Sequence, residues 1–88
     1  MDDHPLLADL NRHLTAIGTP IGLGAKARMH ELEGRLTIDV TTWVDGRPLS
    51  FGGVKAVEEL ERLGPSAYAA TFLAQARTSF ARLGTATP

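Results

Sequence analysis

The chain has 88 residues, which is enough for one small domain. Its apolar fraction of 43% is typical of a folded globular protein, and its charged fraction of 22% is slightly below typical. A formal net charge of −1 excludes a molecule that is basic all over, as many nucleic-acid-binding proteins are. The absence of cysteine excludes disulfides, thiolate metal sites and cysteine nucleophiles.

The N-terminal region predicts an amphipathic helix over Pro5 to Ile17. Its apolar residues recur three or four positions apart, at Leu6, Leu10, Leu14 and Ile17. Asp3 is a candidate cap for the first turn. Gly18 and Pro20 then end the helix, because glycine favours the C-terminal position and proline prevents continuation.

The middle of the chain alternates between apolar and polar residues, which predicts strands with one buried face. Two-residue turns at Glu33-Gly34 and Asp45-Gly46 would join three strands into an antiparallel meander of order 1-2-3. The central strand runs from Arg35 to Val44. The predicted pairs are Met29 with Ile38, Ala27 with Val40, Arg28 with Asp39, Lys26 with Thr41, Val40 with Phe51 and Thr42 with Leu49.

The C-terminal third predicts two further helices. Gly52-Gly53 is expected to end the sheet, and Val54 to Leu63 follows as a short helix with apolar residues at steps of three. After a break at Gly64-Pro65, a long helix is predicted over Ser66 to Leu83. One side of this helix is an apolar arc, and the opposite side is mostly alanine and threonine with few charges. The predicted fold is α+β with topology α-β-β-β-α-α and the helices on one face of the sheet. We expect one domain over residues 1–84 and a tail over 85–88.

Residues with catalytic or metal-binding chemistry form no recognisable constellation. His4, His13 and His30 include no pair four residues apart, and His4 is expected in a solvated acidic tail. No serine lies in a GxSxG motif. The glycine-containing stretch 22–26 lies between a helix and a strand, the reverse of a dinucleotide-binding loop. The sequence therefore predicts no enzymatic activity, cofactor or metal.

The predicted outer face of the sheet is basic and carries the single tryptophan. Its residues are Lys26, Arg28, His30, Arg35, Thr37, Asp39, Thr41 and Trp43. Basic side chains and an exposed aromatic ring on a sheet are typical of surfaces that bind single-stranded nucleic acid. Arg47 is predicted as a further contact. The alternative interpretation is an ordinary wet sheet face on which Trp43 lies over Pro48 or the stem of Arg47.

The order α-β-β-β-α resembles that of double-stranded-RNA-binding domains over roughly Pro5 to Leu63. That family uses a basic run at the start of its second helix, whereas this chain has Lys55 followed by Glu58 and Glu59. The family also has a longer loop between its first two strands than Glu33-Gly34. The resemblance is one of topology, and it does not imply that this chain binds duplex RNA.

The last helix favours a protein-interaction role. It is long, rich in alanine and charged only at Arg77 and Arg82, and charge depletion is a feature of interface cores. It is expected either to complete the core or to form an interface. We therefore predict a non-enzymatic interaction or regulatory module of inhibitor, immunity or assembly type, with a protein partner or a second copy, and nucleic-acid binding as the alternative.

The candidate partner-binding residues are Arg28, Arg35, Trp43, Arg47, Arg77 and Arg82. The acidic start of the chain and the lack of a long apolar run predict neither a secretory signal nor a membrane span. A cytoplasmic location is expected.

Overall fold

A computed structural model describes residues 4–85 of the chain. The helices are α1 (Leu7–Gly18), α2 (Val57–Leu63) and α3 (Pro65–Thr85), and a 3₁₀ turn spans Thr19–Ile21. The strands are β1 (Gly24–Met29), β2 (Arg35–Val44) and β3 (Arg47–Ala56). They form an antiparallel sheet of order β1-β2-β3. The helices pack on one face of this sheet, so the predicted α+β fold and topology are confirmed.

The second hairpin has the predicted turn and register. Asp45 and Gly46 adopt φ values of 51° and 78°, as a tight two-residue turn that follows strand twist requires. Val40 lies opposite Phe51, and the pairing continues from this turn along the whole of β2. The Asp-Gly signal was therefore sufficient to fix how β3 lies on β2.

The first hairpin differs from the prediction by two residues. Met29 pairs with Leu36 rather than Ile38, and Asp39 lies opposite Lys26 rather than Arg28. The connection is a four-residue loop, residues 31–34, in which the Arg35 N–H donates to the Leu32 carbonyl over 3.3 Å. A shift of two residues keeps every side chain on its predicted face, because strand side chains alternate with a period of two.

The third strand is longer than predicted. It passes through Gly52-Gly53 in register with β2 and ends at Ala56, so these glycines do not end the sheet. The residue at position 52 must be glycine, because a Cβ there would lie 2.1 Å from the Ile38 carbonyl oxygen. Consequently Val54 belongs to the strand and is exposed at its surface, and α2 begins only at Val57.

The core lies between the sheet and the helices. Its completely buried large side chains are Leu10, Leu14, Leu36, Ile38, Val40, Leu60 and Leu73. The apolar arc of α3 packs into this core through Tyr68, Phe72, Leu73, Ala76 and Phe80. Trp43 is excluded from it, since 68% of the residue is exposed on the outer face as predicted.

His4 is the first residue that the structure describes. It was expected in a solvated tail, but it is held by hydrogen bonds. Its carbonyl accepts from the Leu7 N–H at 3.0 Å, and its Nδ1 accepts from the Leu6 N–H at 3.1 Å. Its Nε2 lies 2.9 Å from Glu61 Oε2, which links the start of α1 to α2. The predicted cap Asp3 lies outside the described residues, as do residues 86–88 of the predicted tail. Thr85, assigned to that tail, belongs to α3.

Asn11 forms hydrogen bonds to the middle of the free edge of β1. Its Nδ2 donates to the Ala27 carbonyl over 2.9 Å, and its Oδ1 accepts from the Ala27 N–H over 2.8 Å. The side-chain amide thus replaces a neighbouring strand at the middle of β1. Both backbone groups of Ala27, a buried residue, are satisfied in this way.

We expect Asn11→Ala to lower the free energy of unfolding by about 1–3 kcal/mol, because it leaves two backbone groups of a buried residue without partners. Urea unfolding of the variant and of the unchanged chain measures the difference. The matched control is Thr15→Ala, an exposed position on the same helix, where a change within about 0.5 kcal/mol is expected. Equal effects of the two substitutions would contradict the role of Asn11.

Candidate interaction surfaces

Among the residues that the structure describes, no helix lies over the outer face of the sheet, which carries three of the six candidate residues. Arg28 and Arg35 are exposed at the end near the 31–34 loop, and Trp43 is exposed at the other end. Along β2, Arg35 and Trp43 are eight residues apart, which corresponds to about 27 Å in an extended strand. The tryptophan and the two arginines therefore lie on one face without forming one cluster.

Charge on this face is partly balanced near its middle. Asp39 lies opposite Lys26 on the neighbouring strand, so one cation of the face has a carboxylate beside it. Trp43 lies directly opposite Pro48, which agrees with the interpretation that its ring covers the proline. The net positive charge of the outer face consequently comes from its Arg28 and Arg35 end.

Arg47 is separated from the other residues predicted for nucleic-acid contact. It pairs with Val44, and by alternation both lie on the helix-facing side of the sheet. Arg47 is nonetheless exposed, as the first residue of β3. The structure thus brings Arg28 and Arg35 to one face and places Arg47 on the other.

The long helix α3 serves the core with one face and leaves the opposite face exposed. The exposed residues are Ser66, Ala67, Ala70, Thr71, Ala74, Gln75, Arg77, Thr78, Ala81 and Arg82. The candidate residues Arg77 and Arg82 are both exposed on α3 but line different depressions, Arg82 beside Phe51 of β3 and Arg77 beside Ala81. We expected α3 either to complete the core or to form an interface. Completing the core explains the buried face of the helix but not its exposed face.

A depression lies beside α3, where the helix passes β3 and α2. It has a volume of about 180 Å³ and is lined by Lys55, Ala56, Glu59, Leu63, Tyr68, Thr71, Phe72 and Gln75. A shallower groove of about 610 Å³ continues from Thr71 and Gln75 along α3, past Phe51 to Arg82. We call the two together the β3–α3 groove. It is a concave surface with an apolar floor and polar walls.

Aromatic rings form the floor of the β3–α3 groove. The ring of Phe51 lies 5.4 Å from that of Phe72 and 6.5 Å from that of Phe80, between centroids. The Tyr68 ring stacks on Phe72 at 6.5 Å with an interplanar angle of 3°. Aromatic pairs favour tilted, edge-to-face and offset-parallel arrangements of this kind. Tyr68, Phe72 and Phe80 are buried, so the half-buried Phe51 is the ring of this cluster most open to a partner.

Tyr68 brings a hydroxyl to this groove. Burial of the side chain and, secondarily, the charge of Glu59 raise the pKa of the hydroxyl above its ordinary value, because both disfavour a phenolate. The group is therefore a neutral hydrogen-bond donor over the physiological pH range. The carboxylate of Glu59 is itself held by Arg62, whose Nη2 lies 2.8 Å from Glu59 Oε1.

Sequence reasoning missed this groove because it ended β3 too early. With Gly52-Gly53 assigned as a break and Val54 as the start of a helix, Lys55 was not expected to lie beside α3. The sequence did contain a signal for the longer strand. The Asp45-Gly46 turn sets β3 opposite β2, which is ten residues long, so pairing along the whole of β2 would carry β3 on to Ala56.

Among residues 4–85, no group of three or more histidine or acidic side chains is close enough together to hold a metal ion. None of the helices in that range is long and apolar enough to span a bilayer.

Comparison of the chain with protein-family models, with curated proteins and with solved structures gives no significant match. A functional proposal for the chain therefore depends on its surfaces alone.

Proposed function

We propose that the chain is a non-enzymatic, cytoplasmic protein-interaction module of regulatory, inhibitor or assembly type. The observation that carries the proposal is the β3–α3 side of the molecule. There the exposed face of α3 borders a concave groove with an aromatic floor. Interfaces characteristically combine a fixed apolar centre with a polar rim, and this side offers both.

Several residues of this side remain accessible although they are apolar. Leu63 is 36% exposed at the rim of the depression, and Phe51 is only half-buried although its ring contacts two others. The exposed alanines of α3, such as Ala70 and Ala74, would let a partner approach the helix backbone closely. These features support binding of another polypeptide more than binding of a small polar ligand.

Photo-cross-linking in extract of the native host tests this proposal. A photoreactive benzoylphenylalanine in place of Gln75, which lines both parts of the groove, should give a discrete adduct with one partner polypeptide. The same group in place of Thr15, exposed on α1, is the matched control and should not give that adduct. The absence of any adduct specific to position 75 would refute the proposed role of this side.

Self-association through the last helix is one version of the same proposal. Sedimentation velocity over a wide concentration range distinguishes it from binding of a different protein. A species that stays monomeric would remove the homodimer version and leave the heterologous one.

Nucleic-acid binding on the outer face of the sheet is the second candidate function. It is favoured by the 68% exposure of Trp43 on the same face as Arg28 and Arg35. Bases stacking on this ring, with phosphates near the arginines, would give the binding mode of a sheet platform. The partial balance of Lys26 by Asp39 weakens this candidate relative to the first.

Fluorescence of Trp43, the single tryptophan, tests the second candidate. Oligothymidylate should quench it at low salt, with an affinity that falls steeply as salt rises. Arg28→Ala should weaken binding and reduce the salt dependence, whereas Arg47→Ala, on the helix-facing side, should change little. Unchanged fluorescence at low salt would exclude base stacking on this face.

A further inference from the structure

The two edges of the sheet are closed to very different degrees. β1 is six residues long, and Asn11 occupies both edge groups of its Ala27. β3 is ten residues long, and within residues 4–85 no side chain or loop forms hydrogen bonds to the outward backbone groups of its residues 50–54. An open strand edge is a template on which another extended chain can pair.

The phase of the β2–β3 ladder identifies which groups face outward. The Val57 N–H donates to the Gly34 carbonyl over 3.0 Å, which continues the β2–β3 register one pair beyond the strand ends. Hydrogen-bonded pairs recur at every second residue of an antiparallel ladder, so the odd-numbered residues of β3 bond to β2. The outward N–H and C=O groups are therefore those of Ser50, Gly52 and Val54.

The β3–α3 groove runs beside this edge. On the helix-facing side of β3, Gly53 lies between Phe51 and Lys55, and a Cβ at Gly53 would have nothing within 4 Å. A chain paired with the edge would direct alternate side chains toward this space and toward the aromatic floor. The edge offers backbone hydrogen bonds, and the groove offers contacts for side chains.

Charge on β3 and α3 is of one sign. Neither element contains an aspartate or glutamate. The carboxylate of Glu59, which lines the groove, is paired with Arg62, and the cations of β3 itself are Arg47 and Lys55. A second copy docked edge to edge would bring these cations together, whereas an acidic segment would be attracted to them. Exposed ion pairs contribute little binding free energy individually, so charge would select the partner while backbone hydrogen bonds and apolar contacts hold it.

We propose that the edge of β3 binds an extended acidic segment of a partner protein as a fourth strand of the sheet. Apolar side chains at alternate positions of that segment would pack on Phe51 and Phe72, and its carboxylates would meet Lys55 and Arg47. This strand addition rests on the proposed interaction function and specifies its partner chemistry and its binding mode.

Amide hydrogen exchange of the full chain, followed by NMR, tests the proposal. The probe is a short synthetic peptide with Val at alternate positions, Thr between them and Glu at both ends. At saturation it should slow exchange of the Ser50, Gly52 and Val54 amides by at least about tenfold, because each gains a carbonyl partner. The same peptide with Lys in place of Glu should bind more weakly.

Position 50 supplies matched variants. Ser50→Pro removes one outward N–H without removing a bond to β2, and Pro48 already occupies the same phase of this strand. It should abolish the effect, whereas Ser50→Ala should preserve it. Slow exchange of the Phe51 amide in both variants verifies that the ladder is intact.

The other possible results of these experiments each contradict a particular part of the proposal. No binding of the peptide, or binding that leaves the three outward amides unchanged, would overturn strand addition even if Gln75 cross-links to a partner. Slowing that appears without peptide as the protein concentration rises would assign the edge to a second copy and overturn the acidic-segment proposal. Failure of the cross-linking experiment as well would refute the interaction function itself.

Discussion

The register of β3 on β2 is the constraint on which the rest of the structure depends. Asp45 and Gly46 both adopt positive φ, so the chain reverses in two residues and Val44 lies opposite Arg47. Alternation then directs Val40 and Phe51 toward the helices and Trp43 toward solvent. A slip of one residue would exchange the two faces and bury the tryptophan, which explains why one hairpin can determine which surfaces are open.

Much of this could be predicted because the relevant signals are local. The Asp-Gly turn and the period-two pattern depend on neighbours in sequence, and they gave the correct faces and central strand. The 31–34 loop was mispredicted because Glu33-Gly34 resembles a two-residue turn, although Gly34 serves in a longer one. The end of β3 was mispredicted because glycine usually weakens strands, whereas Gly52 lets β3 approach the β2 backbone where a Cβ would collide.

The candidate surfaces exist because the helices cover some parts of the sheet and leave others exposed. α1 packs on β1 and also occupies the edge groups of Ala27 through Asn11, a tertiary contact with no local signature in the sequence. α3 completes the core with one face, yet it leaves the β3 edge open and a groove beside it. The arginines grouped together as candidates divide accordingly, with Arg28 on the outer face and Arg77 on α3. Phe51 and the open outer edge of β3 lie beside α3, which is why we propose a polypeptide partner ahead of nucleic acid.

The central claim is that β3 continues through its glycine pair in register with β2. Amide hydrogen exchange of the chain without a partner tests it most directly. The Phe51, Gly53 and Lys55 amides should all exchange slowly, while the alternate Gly52 and Val54 amides should exchange fast. Fast exchange at every position from Gly52 onward would mean that the strand ends at the glycines, and the open edge and its groove would not exist as described.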